Sequence, residues 1–167
     1  MQSIKDYLDA ASAAYYAGQP FIDDETFDRL AESAGYNAVG AKQHEHLHKH
    51  LYRMYSLDKY YEDEGAAPLP GFDKTTSPKL DGAAISLLYI DGVLVRALTR
   101  GDGIEGTDIT NKMYARKNLV PLEVQRKDIF QVTGEIVAPK DIENARNYAA
   151  GSLNLKDLEE FKIRAIS

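Results

Sequence analysis

The chain has no cysteine. That excludes disulfides, thiolate zinc sites and cysteine nucleophiles together, and it suits a reducing, cytoplasmic setting. Long apolar runs are missing too. None approaches the ~20 residues that a membrane span needs, so no membrane association is expected. The opening residues, MQSIKDYLDA, carry acids and no unbroken apolar stretch, unlike a signal peptide. Positive charge is in short supply. A net charge of -6 argues against gripping nucleic acid by bulk charge, so a DNA-facing surface has to come from local clustering of basic residues. There is no G-x-x-x-x-G-K-[ST], hence no P-loop. No internal repeat or low-complexity tract occurs.

What is present suits one domain, or a small helical cap joined to a modest core: 167 residues with an ordinary apolar fraction. Ile4, Tyr7, Leu8, Ala11 and Tyr15 recur at helical spacing. Ser3, with Asp6 three residues later, is an N-cap signature. Gly18 to Pro20 should stop that helix. A second follows in DDETFDRLAESAG, capped by Asp23 or Asp24, with Phe27, Leu30 and Ala34 inward and Gly35 at its end. Such a hairpin is too small to fold alone and needs a surface to pack on. A short helix is expected over 57–64, and residues 65–71, GAAPLPG, read as a linker. We therefore divide the chain into a cap and connector (1–64), the linker (65–71) and a core (72–167).

The core has a different grammar. AAISLLYI and VLVRALT are strand-like and joined by Asp91-Gly92, a strong hairpin signal. A glycine-rich loop occupies 101–106. Further expectations are a helix over 107–116, a strand over 129–139, a helix over 141–148 and a last strand over 161–167. Helices first, then mainly antiparallel strands with helices between them, is an α+β pattern.

Four features bear on chemistry. Lys79 precedes Asp81-Gly82 at the lip of an apolar strand. A lysine amine becomes a nucleophile when desolvation or a neighbouring cation removes its proton. The alternative is a solvated strand-end lysine beside an ordinary turn. GDGIEG matches the dinucleotide fingerprint, but that fingerprint belongs to a parallel βαβ unit, and here an antiparallel hairpin precedes it. Asp102 and Glu105 would also repel a pyrophosphate. His44, His46, His48 and His50 alternate; a strand would put them on one face, but no ligand set accompanies them, and a solvated connector is the expected reading. Glu135 stands within an apolar strand. It is either functional or simply on the wet side of the alternation.

Taken together, these pieces resemble the N-terminal part of NAD-dependent DNA ligases. The residues that carry the resemblance are Lys79-Leu80-Asp81-Gly82 (K-x-D-G), TRGDGIEGTDITN, TGEIVAPK and RNYAAGSL, in that order. Upstream of them, YYAGQPFIDDETFDRL is similar to a cap that binds the nicotinamide mononucleotide half of NAD, and HLYRMYSL to an H-x-x-P-M-x-S-L segment. The resemblance covers nearly the whole chain. It implies a helical cap followed by part of a nucleotidyltransferase core, of the ATP-grasp-like ligase adenylation type. It further implies that Lys79 takes AMP from NAD as a phosphoramidate, that nicotinamide mononucleotide leaves, and that AMP passes to the 5′-phosphate of a nick in duplex DNA, with Mg²⁺ assisting.

By the same resemblance Asp81 orients the lysine or a metal-bound water, Arg100 contacts phosphate or ribose, Glu135 touches the AMP ribose or metal, and Arg146 reaches the DNA backbone. Ser77, Leu80 and Gly82 fall at positions around the nucleotide. Tyr15, Tyr16, Asp24, Phe27 and Asp28 fall at cap positions that hold nicotinamide mononucleotide. A core Tyr15 and a helix-capping Asp24 are the alternatives there. The sequence departs from the family pattern at Ser77 (usually Glu), Tyr16 (usually His), Phe27 (usually Tyr), Thr133 (usually Arg) and Asn154 (usually Arg). The family's core also runs on into further lysine motifs, an OB domain and other modules. Either a second ligase subunit supplies the rest, as in a two-chain phage-type enzyme acting in the host cytoplasm, which is the leading expectation, or the sequence is a piece of a longer protein. A degenerate fragment that binds NAD, nicotinamide mononucleotide or a protein without catalysis is a second reading. An RNA ligase or capping enzyme is a third, which the nicotinamide-binding cap disfavours.

Overall fold

The computed structural model describes residues 3–16, 19–36, 47–57, 61, 73 and 75–167. Two helices open it. In α1 (Ile4–Tyr16) a capping box closes the first turn. Ser3 N–H donates to the Asp6 carboxylate and Asp6 N–H to the Ser3 hydroxyl, both at 3.1 Å. In α2 (Asp24–Ala34) the cap is Asp23, whose carboxylate accepts from Thr26 N–H and Thr26 Oγ1 at 2.8 Å. Gly35 ends α2 at φ 63°, and Tyr36 N–H reaches back to Ala31 O at 2.8 Å.

The core is a three-stranded antiparallel sheet in the order β3-β2-β5, built from β2 (Ala83–Ile90), β3 (Val93–Thr99) and β5 (Phe130–Ile136). Asp91 at φ 52° and Gly92 at φ 81° turn β2 into β3, as the Asp-Gly pair predicts. The register pairs Ile85 with both Thr99 and Gly134, and shifts by one against β3 at Leu88/Tyr89. A second, two-stranded sheet pairs β1 (Leu47–Lys49) with β4 (Glu105–Thr107), Leu47 facing Thr107.

β2 is buried on both faces, which explains its nearly unbroken apolar sequence. Ile85, Leu87 and Tyr89 join Phe161, Leu153 and Met113 in one core cluster. That cluster is roofed by α3 (Thr110–Ala115), α4 (Ala145–Asn154) and α5 (Leu158–Lys162). Leu88 and Ile90 point the other way, against Ile4, Leu8 and Leu30 of the two opening helices. The hairpin thus finds the surface it needs on the back of the sheet. Ser33, fully buried, strengthens that docking. Its hydroxyl donates to Lys49 O at 2.5 Å, and the Arg96 guanidinium donates to Ser33 O at 2.7 Å.

Several expectations need correction. The expected helix over 107–116 shortens to α3, because residue 107 is taken by β4 and Asp108 caps Thr110 N–H at 2.8 Å. The helix placed over 141–148 begins instead at residue 145 and runs to 154. Asn144, at φ 53°, interrupts any helical path through it. The expected terminal strand over 161–167 begins as helix: Asp157 caps α5 by accepting from Glu159 N–H at 2.8 Å, and the helix buries Phe161 completely. Only the last residue is strand-like, since Ser167 and Val137 exchange both backbone hydrogen bonds. The helix expected over 57–64, apart from residues 57 and 61, and the linker over 65–71 lie outside the described residues, as do His44 and His46.

Candidate active site

The segment carrying Lys79 enters the sheet at Gly82. There the chain passes so close to β5 that a Cβ on Gly82 would lie 2.1 Å from Ile136 O. Gly82 N–H donates to Glu135 Oε1 at 3.1 Å. Glu135 faces Ala84 in the register, and Arg100 N–H donates to Ala84 O at 2.9 Å on the other side. The first residues of β2 therefore gather Glu135 from one neighbouring strand and Arg100 from the end of the other. Arg146, in the first turn of α4, closes the group: its Nε lies 3.9 Å from Asp81 Oδ1. Both of those side chains are exposed, so this ion pair adds little stability. It does place a cation and a carboxylate beside the lysine segment.

Lys79, Ser77, Leu80 and Asp81 are all exposed, and Lys79 has no ion-pair partner among the described residues. Glu135 is half-buried, with one carboxylate oxygen taken up by Gly82 N–H. The glycine-rich loop is not a Rossmann turn. It connects β3 to β4, with Gly101 at φ 56° and Gly103 at φ 90°. Asp102 turns inward on its own loop, accepting from Ile104 and Glu105 N–H at 2.8 and 2.9 Å. Those backbone donors hold its carboxyl below the ordinary carboxylate value.

The cap residues divide differently. Tyr15, 57% exposed, is not a core residue. Asp24 does not cap α2, because Asp23 does. The two structural alternatives for these side chains therefore fail. Asp24 and Asp28 are exposed one turn apart on α2. Phe27 is half-buried, edge-on to Tyr36 at 6.3 Å. Tyr16 is the last residue of α1, and its side chain lies outside what the structure describes. A cavity of about 700 Å³ does lie between cap and sheet, but Tyr15, Asp24 and Asp28 do not line it. Its walls include Tyr7, Phe21, Tyr52 and Lys127. The Tyr7 phenol there is pushed up to about 12, by burial first and by the nearby Asp91 charge second.

Sequence reasoning gave no site role to the histidine at the centre of this arrangement, although it opens the HLYRMYSL segment. His50 is buried, not solvated. Its Nδ1 lies 2.7 Å from Ser86 Oγ and its Nε2 3.0 Å from Arg100 O. Ser56 was missed as well: it accepts a 2.7 Å hydrogen bond from the Arg100 guanidinium. Two signals were available: the HLYRMYSL segment contains both residues, and Ser86 interrupts the otherwise apolar AAISLLYI. His48 also departs from the solvated reading, lying half-buried with Nε2 3.9 Å from Asp108 Oδ2.

N-terminal helices followed by antiparallel sheets, with the K-x-D-G segment at the sheet's entry, are those of part of an adenylation domain. The chain belongs to the NAD-dependent DNA ligase family: the model for "NAD-dependent DNA ligase adenylation domain" matches residues 43–167. It is 31% identical to a DNA ligase of Campylobacter fetus, over 91% of this chain and 30% of the relative. It is 33% identical to a DNA ligase of Flavobacterium psychrophilum, over 99% of this chain and 32% of the relative. A DNA ligase 1 of Nocardia farcinica is 31% identical, over 94% of this chain and 29% of its own length. The chain thus spans about 30% of the length of these curated relatives. No helix among the described residues is long and apolar enough to cross a membrane.

Proposed function

We propose that this chain performs the adenylation step of NAD-dependent DNA ligation, with Lys79 as nucleophile. The carrying observation is the convergence of Asp81, Gly82, Arg100, Glu135 and Arg146 on the entry of β2, three residues from Lys79. NAD is a substrate in this reaction. The neutral Lys79 Nζ forms a bond to its α-phosphorus, the bond from that phosphorus to the bridging oxygen breaks, and nicotinamide mononucleotide leaves. The lysine proton passes to solvent or to Asp81, two residues along the chain. Positioning and charge stabilisation supply most of the acceleration in phosphoryl-type transfer. Arg100 and Arg146 are the cations at hand for it.

Ser77, Leu80 and Gly82 would flank the adenosine. Tyr15, Tyr16, Asp24, Phe27 and Asp28 would receive the nicotinamide half, where an aromatic face and carboxylates suit a cationic ring and ribose hydroxyls. Among the described residues no group of three or more His, Asp or Glu side chains could hold a metal ion unaided. Mg²⁺ commonly uses one or two carboxylates plus substrate phosphates, and Asp81 and Glu135 fit that role. Transfer of AMP to nicked duplex DNA, with Arg146 at the backbone, and closure by the 3′-hydroxyl would draw on the family's remaining lysine motifs and OB domain.

The exposure of Lys79 favours one rival, a fragment that binds NAD or nicotinamide mononucleotide without reacting. Intact-mass measurement after mixing the chain with NAD and Mg²⁺ separates the two. A gain of one AMP, lost in Lys79→Ala and not supported by ATP, is the expected result. NAD binding without any adduct would establish the rival instead.

A further inference from the structure

We propose that His50 is a positioning residue for this reaction, holding the turn that aims Arg100. The proposal rests on Arg100 belonging to the adenylation site, and it concerns a side chain about 50 residues upstream of that arginine.

The bonding around the ring leaves one arrangement. Arg100 O can only accept, so His50 Nε2 carries the proton and donates to it at 3.0 Å. Nδ1 is then the acceptor for the Ser86 hydroxyl at 2.7 Å. The residue's own backbone N–H donates to Ile104 O at 2.9 Å. The buried imidazole therefore ties β2 to the end of β3, and the same residue's backbone ties both to the glycine-rich loop. Its fit is tight: a Cβ on Gly106 would lie 3.4 Å from Nε2.

The loop leaves β3 at Arg100 and doubles back immediately, with Gly103 N–H donating to Arg100 O at 3.0 Å. The Arg100 carbonyl thus has two donors, one from its own turn and one from His50. Fixing that peptide plane fixes the direction of the side chain that follows from the same Cα. The guanidinium reaches Ser56 Oγ at 2.7 Å, six residues along the segment that begins at His50. Histidine and serine from one segment hold the two ends of the same arginine. A core histidine kept only for packing has no need of this arrangement.

The test separates packing from positioning. Glutamine can return a donor to the Nε2 position, whereas asparagine is too short to reach Arg100 O. With NAD and Mg²⁺, His50→Asn should slow single-turnover AMP transfer by on the order of tenfold to a hundredfold. His50→Gln should recover most of that rate. In an Arg100→Ala background, His50→Asn should add nothing further. Equal losses in His50→Gln and His50→Asn would overturn the proposal, and so would full additivity with Arg100→Ala. A second readout needs no catalysis. Nitrogen spectra of the ring should show the neutral Nε2–H tautomer, and relaxation of Arg100 Nε should show order that is lost in His50→Asn and kept in His50→Gln. An Nδ1–H tautomer, or unchanged Arg100 order, refutes the strut even if the chain never takes AMP. A missing AMP adduct with both spectral results intact refutes only the adenylation reading.

Discussion

Gly82→Ala tests whether the lysine segment is held by the sheet. The methyl group would begin 2.1 Å from Ile136 O, 2.9 Å from its carbonyl carbon and 3.0 Å from Val137 Cγ1. Two of these three atoms are backbone, so no rotamer change relieves the clash. The chain must retreat by about 1 Å to restore an ordinary contact. Ala83 pairs with Ile136 at the first rung of the β2–β5 ladder, so that rung and the Gly82–Glu135 bond weaken, while the pairs from Ile85 to Tyr89 remain. Overpacking of this kind costs about 1–3 kcal/mol. With a urea slope of about 1–3 kcal/mol/M, the unfolding midpoint should fall by roughly 1 M. The rate of AMP transfer should drop as well. A displacement of about 1 Å at a reacting group costs up to ~100-fold, or ~2.7 kcal/mol at the transition state. Gly134→Ala is the control, because its methyl would meet only Ile85 Cγ1 at 3.8 Å. Wild-type midpoint and wild-type rate in Gly82→Ala would refute the close approach. A lowered midpoint with an unchanged rate would confine Gly82 to the fold and free Lys79 from it.

Three further results are expected. Ser33→Ala removes the donor to Lys49 O and one acceptor of Arg96 from a buried position, and should lower unfolding free energy by about 1–3 kcal/mol in urea titration. Gly151→Ala should raise stability by about 0.5–1 kcal/mol, since nothing lies within 4 Å of the new methyl and the site is inside α4; a fall in thermal midpoint would contradict this. Burial lowers the His50 pKa, against the opposing pull of its bond to Arg100 O and of Asp102. The unfolded chain then binds more protons below the ordinary value of about 6.5, so stability should fall as pH drops through that value toward the lowered one, and fall less in His50→Gln.

Much of this protein was legible locally. The capping box at Ser3 and Asp6, the Asp23 cap, the Gly35 terminus and the Asp91-Gly92 turn each depend on residues within about four positions of one another. K-x-D-G and the blocks after it carried the family, because a motif keeps its spacing whatever the tertiary detail. The misplaced elements came from weaker local signals. Nothing in DIENARNY says that Asn144 takes a left-handed backbone and delays α4, and FKIRAIS alternates well enough to resemble a strand although Asp157 caps a helix over its start.

The amino-acid order alone therefore set the helical hairpin, the β2–β3 turn and the identity of the lysine segment, since each is decided by bonds a few residues long. Only the folded chain decided that Glu135 meets Gly82, that Arg146 lies beside Asp81, and that one buried imidazole joins Ser86 to Arg100. These contacts span 36 to 65 residues of chain, and they form because both faces of β2 must be covered: α3, α4 and α5 cover one, α1 and α2 the other.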